Sequence, residues 1–78
     1  LKLALLAQRR TGRGEARTFV ALEGAYHGDT FGAMAVGDPE PFFEELSELL
    51  FAVRRVPPEP AAVRGALREL GTRAAGLI

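Results

Sequence analysis

The sequence predicts an α/β protein in which parallel-type strands alternate with helices. Helix-like and strand-like segments alternate along its 78 residues, a pattern typical of layered α/β architectures. The strand-like segment 17–23 carries apolar residues on both faces, as do strands that helices cover on both sides. The segments between the predicted strands are long enough to contain helices, and connections of that length favour parallel neighbours.

The first two elements are predicted to be a helix and a strand. Leu1–Arg10 contains strong helix formers and closes on two arginines, whose charge suits the C-terminal end of a helix. After a polar, glycine-containing loop, Arg17–Glu23 forms the predicted strand, and Gly24 ends it.

Two helices are predicted next. The first is short, capped by Asp29 or Thr30 and running through Val36, with Gly37 at the position that follows a helix C-terminus. The second is amphipathic, because apolar residues recur at spacings of three and four after Pro41, which suits a first helical turn. Those apolar residues are Phe42, Phe43, Leu46, Leu49 and Leu50.

The last third predicts a strand, a helix and the onset of another strand. Phe51–Val56 is a short extended segment that two prolines end. Pro60–Leu70 is a helix with Gly71 as its stop, and Gly76–Ile78 begins a third strand. The apolar face of this helix consists of Val63, Ala66, Leu67 and Leu70.

Composition excludes several functional classes. Ten basic and ten acidic residues give a formal net charge of zero, and the two kinds are interspersed, so no nucleic-acid partner is expected. No apolar run approaches the roughly 20 residues of a membrane span, so we expect a cytoplasmic protein with no membrane partner. The absence of cysteine and the single histidine argue against any metal site.

The two ends predict that residues 1–78 are an incomplete domain. Leu1 begins within a helix-like run without a capping residue, and the sequence stops where an apolar strand begins. A chain of this size buries only about 60% of the surface that its unfolded form exposes. We therefore expect its stability to depend on a partner or on the rest of a longer protein.

The stretch 26–34 is the best candidate for a functional site. It holds the only Tyr, the only His and the only Met, and it follows the predicted strand, where α/β proteins build sites. Tyr26 could stack on a flat ligand and orient a polar group. His27 could act as a base or a donor, and Asp29 could hold an amine or a hydroxyl group. Gly28 could let a ligand approach the backbone closely.

Each of these residues also has a structural interpretation. Tyr26 could be an ordinary core or surface residue, His27 a satisfied structural group, and Asp29 a helix cap. The glycines do not form a dinucleotide-binding or P-loop motif. Lys2, the only lysine, is expected on a solvated helix surface rather than in Schiff-base chemistry.

The run from Tyr26 to Met34, continuing to Gly37 and Asp38, resembles the strand–turn–helix of class III aminotransferases of pyridoxal-phosphate fold type I. Within that class the resemblance is strongest to the aminotransferases of biotin synthesis, because ornithine and acetylornithine relatives usually carry Arg at the position of Asp29. The resemblance covers the whole chain in register. It implies that residues 1–78 are an internal fragment of the large, cofactor-binding domain, incomplete at both ends.

The resemblance also implies a function. The family transfers an amino group from S-adenosylmethionine to 8-amino-7-oxononanoate, giving 7,8-diaminononanoate, with pyridoxal 5′-phosphate as cofactor. Tyr26 and Asp29 would bind substrate, and Tyr26, His27 and Gly28 would contact the cofactor. No catalytic residue falls within the chain, since the family's Schiff-base lysine, phosphate-binding turn and substrate-carboxylate Arg would lie outside it. The 78 residues alone are therefore expected to be inactive, and the full-length protein is expected to be a homodimer.

Two other interpretations stay open. The chain could come from another class III aminotransferase, acting on an ω-amino acid or on ornithine. It could instead be an independent, non-catalytic small α/β module that binds or interacts without chemistry.

Overall fold

A computed structural model describes all 78 residues. It shows a three-stranded parallel sheet with helices on both faces, which confirms the predicted α/β class. The elements in chain order are α1 (Lys2–Arg10), β1 (Thr18–Leu22), α2 (Phe31–Val36), β2 (Arg54–Val56), α3 (Pro60–Leu70) and β3 (Ala74–Leu77), with 3₁₀ turns at Glu44–Leu49 and Gly71–Arg73.

The sheet has the order β2-β1-β3, so β1 is its central strand. Both neighbours run parallel to β1, with Ala21 opposite Arg55 on one side and Phe19 opposite Gly76 on the other. The carboxyl ends of all the strands therefore lie along one edge of the sheet. This is the edge at which open α/β sheets bind their ligands.

One face of the sheet packs against α1 and α2. Phe19 and Ala21 point to this face because side chains alternate along a strand. The Gln8 side-chain nitrogen also donates a hydrogen bond of 3.1 Å to the Ala75 carbonyl, which ties α1 to β3. The buried residues of this face are Phe19, Ala21, Val36 and Ala75, with Ala4, Leu5 and Val53 packed against them.

The opposite face packs against α3. Val20 is completely buried there, which stabilises the fold by about 1.5–3 kcal/mol relative to an exposed side chain. The predicted apolar face of α3 is confirmed, and Gly71 ends the helix with a φ of +53°. The residues of this face are Val20, Val56 and Ala66, with Leu22, Ala62, Val63, Leu67 and Leu70 against them.

The predicted amphipathic helix over residues 42–50 is wrong. The segment forms a turn followed by a 3₁₀ helix over Glu44–Leu49, and Pro41 lies within that turn rather than in the first turn of an α-helix. Phe42 and Leu49 are 74% and 69% exposed, and only Phe43 is buried, so most of the apolar face that the periodicity predicts is not covered by the rest of this chain. Without such packing, the helical pattern alone does not stabilise an α-helix of this length.

Two smaller predictions also need correction. The extended segment predicted over Phe51–Val56 pairs with the sheet only over Arg54–Val56. Gly37 does follow the short helix, but its backbone is extended (φ −85°, ψ −178°) rather than left-handed. Its need for glycine has a different cause: a Cβ atom there would lie 3.1 Å from the carbonyl oxygen of Ala25.

A buried and an exposed phenylalanine allow the assignment of the core to be tested by stability measurements. Phe19→Ala should lower the free energy of unfolding by about 3–5 kcal/mol, because it leaves a cavity beneath α1 and α2. Phe42→Ala, at an exposed ring, should change it by less than about 0.5 kcal/mol. Urea denaturation followed by circular dichroism measures both, and equal effects would contradict the assignment of the core.

Candidate functional site

The candidate site lies in the turn between β1 and α2, at the carboxyl edge of the sheet. The Glu23 amide donates to the Val56 carbonyl at 2.9 Å, so the chain leaves β1 beside the end of β2. Gly28, within the turn, has a φ of +119°, a conformation that residues with a Cβ atom rarely adopt. This geometry turns the chain from the strand into the short helix and leaves Tyr26 on the outer side.

Tyr26 and Asp29 form a hydrogen-bonded pair in this turn. The phenol oxygen of Tyr26 donates to Oδ1 of Asp29 at 2.6 Å, a length typical of a bond to a carboxylate. The expectation that Asp29 could cap α2 is not met, because Thr30 occupies the N-cap position and no side chain caps the helix. The carboxylate of Asp29 is therefore directed at the phenol instead of at the helix backbone.

Two further aromatic rings surround Tyr26. The ring of Phe43 stacks on it with centroids 6.1 Å apart and planes 20° apart, and Phe42 meets it edge-on at 6.3 Å. With Asp29, the three rings line a concavity of about 530 Å³. Tyr26 is still 59% exposed, so one side of its ring is open to a ligand.

Sequence reasoning missed the part that Phe42 and Phe43 play in this concavity. It assigned both to the apolar face of a helix, because their spacing from later leucines fits a helical period. The only sequence signal was the presence of two adjacent aromatic residues soon after the candidate stretch, which is too general to place them against Tyr26.

The hydrogen bond to Asp29 raises the pKa of the Tyr26 phenol above its ordinary value of 10.0, with smaller contributions from desolvation and from the negative charge of Asp29. Ionisation would remove the donated proton and place two negative charges side by side. Tyr26 is therefore a neutral hydrogen-bond donor at neutral pH. Because the folded-state pKa lies above the unfolded one, this stabilisation is complete below the unfolded pKa and is lost as pH rises through the folded pKa.

The other predicted site residues lie nearby without joining the pair. His27 is exposed, and its side chain makes no hydrogen bond. Gly28 is half-buried, and a Cβ atom there would contact the side chain of Ala33 at 3.7 Å. Lys2 is exposed on α1 and does not line the concavity.

Asp38 ties the far end of α2 back to the start of the turn. Its Oδ2 accepts a hydrogen bond of 2.8 Å from the Gly24 amide, and its Oδ1 accepts one of 3.3 Å from Glu40. Its own amide donates to the Ala25 carbonyl at 2.7 Å. The two residues that precede Tyr26 are thus fixed through Asp38.

This arrangement can bind and orient a ligand but holds no complete catalytic apparatus. The concavity offers flat rings for stacking, a phenol donor and one carboxylate. No group of three or more His, Cys, Asp or Glu side chains could hold a metal ion. None of the helices has the length and apolar character needed to cross a membrane.

No family model matches the chain. Among curated proteins, it is 44% identical over 57 residues to the adenosylmethionine-8-amino-7-oxononanoate aminotransferase of Synechococcus elongatus, a match that covers 73% of this chain and 13% of the relative. The aminotransferases of the same name from Geobacter sulfurreducens and Saccharomyces cerevisiae are 37% and 43% identical to it, over 73% and 67% of this chain.

These matches confirm the predicted resemblance over a short segment. The chain spans only about one eighth of the length of the curated relatives it matches, 13% and 12% of the proteins from Synechococcus elongatus and Saccharomyces cerevisiae. The similarity therefore concerns a short segment and not a whole enzyme.

Gly37→Ala tests the close approach between the end of α2 and the turn. The new Cβ atom would lie 3.1 Å from the Ala25 carbonyl oxygen, which cannot retreat without weakening its hydrogen bond to Asp38. We expect thermal unfolding to show a loss of about 1 kcal/mol. Gly14→Ala is the matched control, since a Cβ atom there meets nothing within 4 Å. An equally stable Gly37→Ala variant would contradict the proposed crowding.

Asp29→Asn tests the hydrogen bond in the Tyr26 pair. Replacing the carboxylate with an uncharged amide, a weaker acceptor, should lower the pKa of Tyr26 toward 10.0, because the hydrogen bond to Asp29 is the main cause of its rise. Ultraviolet absorbance follows the phenolate directly, since the chain contains one Tyr and no Trp. Glu23→Gln removes another exposed carboxylate of the same turn and should leave the titration unchanged. A pKa that is the same in Asp29→Asn and in the unmodified chain would disprove the pairing.

Proposed function

Because this chain is related over most of its length to adenosylmethionine-8-amino-7-oxononanoate aminotransferases, we propose that it forms one wall of the active site of such an enzyme. The full-length protein would transfer an amino group from S-adenosylmethionine to 8-amino-7-oxononanoate, giving 7,8-diaminononanoate in biotin biosynthesis. The single structural observation that carries this proposal is the Tyr26–Asp29 pair, set beside an open aromatic concavity at the carboxyl edge of a parallel sheet.

The residues of the turn suit pyridoxal 5′-phosphate as a cofactor. Its flat ring matches the exposed side of Tyr26, and the glycine backbone at Gly28 leaves room beside His27 for a ligand to approach. When bound, the cofactor supplies the electron sink that amino-group transfer requires. Tyr26 would orient the cofactor ring, while His27 and Gly28 would shape the turn around it.

The same pair suits the substrate side of the pocket. Tyr26 presents a neutral hydroxyl group at neutral pH, and its hydrogen bond to Asp29 raises its pKa further above the ordinary value. The remaining lone pairs of the Asp29 carboxylate can accept a hydrogen bond from an amino group, and its charge favours a cationic donor molecule. We therefore assign substrate binding to Tyr26 and Asp29.

The chain itself supplies binding and orientation and no catalytic residue. Its only lysine, Lys2, is exposed on α1 and lies outside the lining of the concavity. The groups that complete the site would come from other parts of a longer protein, in which residues 1–78 form part of the large cofactor-binding domain. We propose that this protein is a cytoplasmic homodimer, as the resemblance implies.

The full-length protein tests this function directly. With pyridoxal phosphate bound, it should use S-adenosylmethionine as amino donor in preference to ornithine, lysine and ω-amino acids. Tyr26→Ala should lower kcat/KM by about 100-fold through the loss of ring and hydroxyl contacts, and Glu23→Gln should leave it unchanged.

Two results would count against the proposal in different ways. Preferred use of ornithine or of an ω-amino acid as amino donor would show that the protein is another kind of class III aminotransferase. Normal kinetics of Tyr26→Ala with both substrates would refute the role of Tyr26, whatever the donor. Absorbance of the bound cofactor in each variant separates a loss of cofactor binding from a loss of turnover.

A further inference from the structure

We propose that Arg55 is a positioning residue for the Tyr26–Asp29 pair, acting from the neighbouring strand through the end of α2. Arg55 lies on β2, outside the stretch from Tyr26 to Asp38, and it does not line the concavity. The inference rests on the proposed function only where it concerns turnover, because the geometry of the turn can be measured without any assumption about the reaction.

The side chain of Arg55 binds the C-terminal end of α2. Its Nε donates to the Gly37 carbonyl at 2.9 Å, and one terminal nitrogen donates to the Ala35 carbonyl at 2.8 Å. A helix leaves its last carbonyl groups without partners inside the helix, and a cation at that end also suits the helix dipole. The planar guanidinium group meets both carbonyls at once, which an ammonium group cannot do in the same way.

The anchored end of α2 continues directly into the contacts that hold the turn. Gly37 is followed by Asp38, whose carboxylate and amide bind Gly24 and Ala25 at 2.8 and 2.7 Å. Tyr26 follows those two residues. A continuous path of hydrogen bonds and short chain segments therefore joins β2 to the residue that carries the phenol.

Burial of Met34, Ala35 and Val36 holds α2 against the sheet, and the polar supports of the turn other than this path are weak. Helix α2 has only six residues, too few to be stable by itself, and no side chain caps its N-terminus. The Tyr26–Asp29 bond is exposed to solvent. Arg55 is half-buried, so its two bonds are shielded from solvent more than a surface pair is.

Arg54 provides a matched comparison on the same strand. Side chains alternate along β2, so Arg54 points to the α3 face, where it forms an ion pair of 3.0 Å with Glu69. Both partners are largely exposed, at 48% and 65%, and such pairs contribute little to stability. Two adjacent residues of the same type thus differ in whether they touch the segment that leads to Tyr26.

The experiment uses the full-length protein with tyrosine labelled with ¹³C at Cζ. The Tyr26 resonance is identified by its disappearance in Tyr26→Phe, and its position reports the hydrogen bond to Asp29. Arg55→Gln should move this resonance toward that of free tyrosine, as Asp29→Asn does, whereas Arg54→Gln should leave it in place. If Arg55→Gln does not fold, Arg55→Lys, which keeps the charge without the planar fork, should give a smaller shift in the same direction.

Kinetics of the same variants test positioning against a merely structural role. Arg55→Gln should lower kcat/KM by about tenfold or more, because small misplacement of an orienting group is costly. Combined with Tyr26→Phe, it should add less than about twofold to the loss from Tyr26→Phe alone, since both changes remove the same oriented hydroxyl. Losses that multiply in the double variant would overturn the proposal.

The two kinds of measurement separate the inference from the proposed function. An unmoved Tyr26 resonance in the folded Arg55 variants would overturn the inference, even if the enzyme is the expected aminotransferase. A moved resonance together with unaffected turnover in Tyr26→Phe would uphold positioning by Arg55 and refute the catalytic importance of Tyr26.

Discussion

Burial of β1 on both faces is the constraint on which the rest of this structure depends. As the central strand, it pairs with β2 and β3 and is covered by α1 and α2 on one face and by α3 on the other. Phe19 and Val20 are adjacent in sequence, yet they belong to opposite hydrophobic clusters because side chains alternate along a strand. Strands β2 and β3 and helices α2 and α3 all contact β1, and the turn to the candidate site begins where this strand ends.

Polar contacts connect the candidate site to the buried part of the structure. Tyr26 lies beyond the buried part of β1, on a turn that has few apolar contacts with the core. Asp38 binds a backbone amide of this turn, and Arg55 binds two backbone carbonyls at the end of α2. The Tyr26 side chain is thus exposed while the backbone that precedes it is fixed, as in loops that a rigid scaffold positions.

The absence of the predicted helix over residues 42–50 and the presence of the aromatic concavity have the same cause. A helical period predicts which residues share a face but not whether anything covers that face. Here Phe43 packs on Tyr26, while Phe42 and Leu49 stay exposed, so the segment contributes to the site instead of forming a core helix. Local pattern could not show this because the deciding contact joins residues 17 positions apart, Tyr26 and Phe43, on either side of α2.

The sequence by itself determined the class of fold and the strands and helices around β1, and it predicted a candidate site at the stretch from Tyr26 to Asp29. Those features follow from local properties, namely apolar periodicity, glycine stops and the position of polar groups after a strand. Tertiary structure alone decided that Asp29 binds the phenol rather than capping α2, that two phenylalanines complete the concavity, and that Arg55 and not Arg54 binds the C-terminal end of α2. The physical reason is that each of these contacts depends on which groups the folded chain brings within hydrogen-bonding or stacking distance. Arg54 and Arg55, for example, are the same residue type and differ only in the face of the sheet to which β2 directs them.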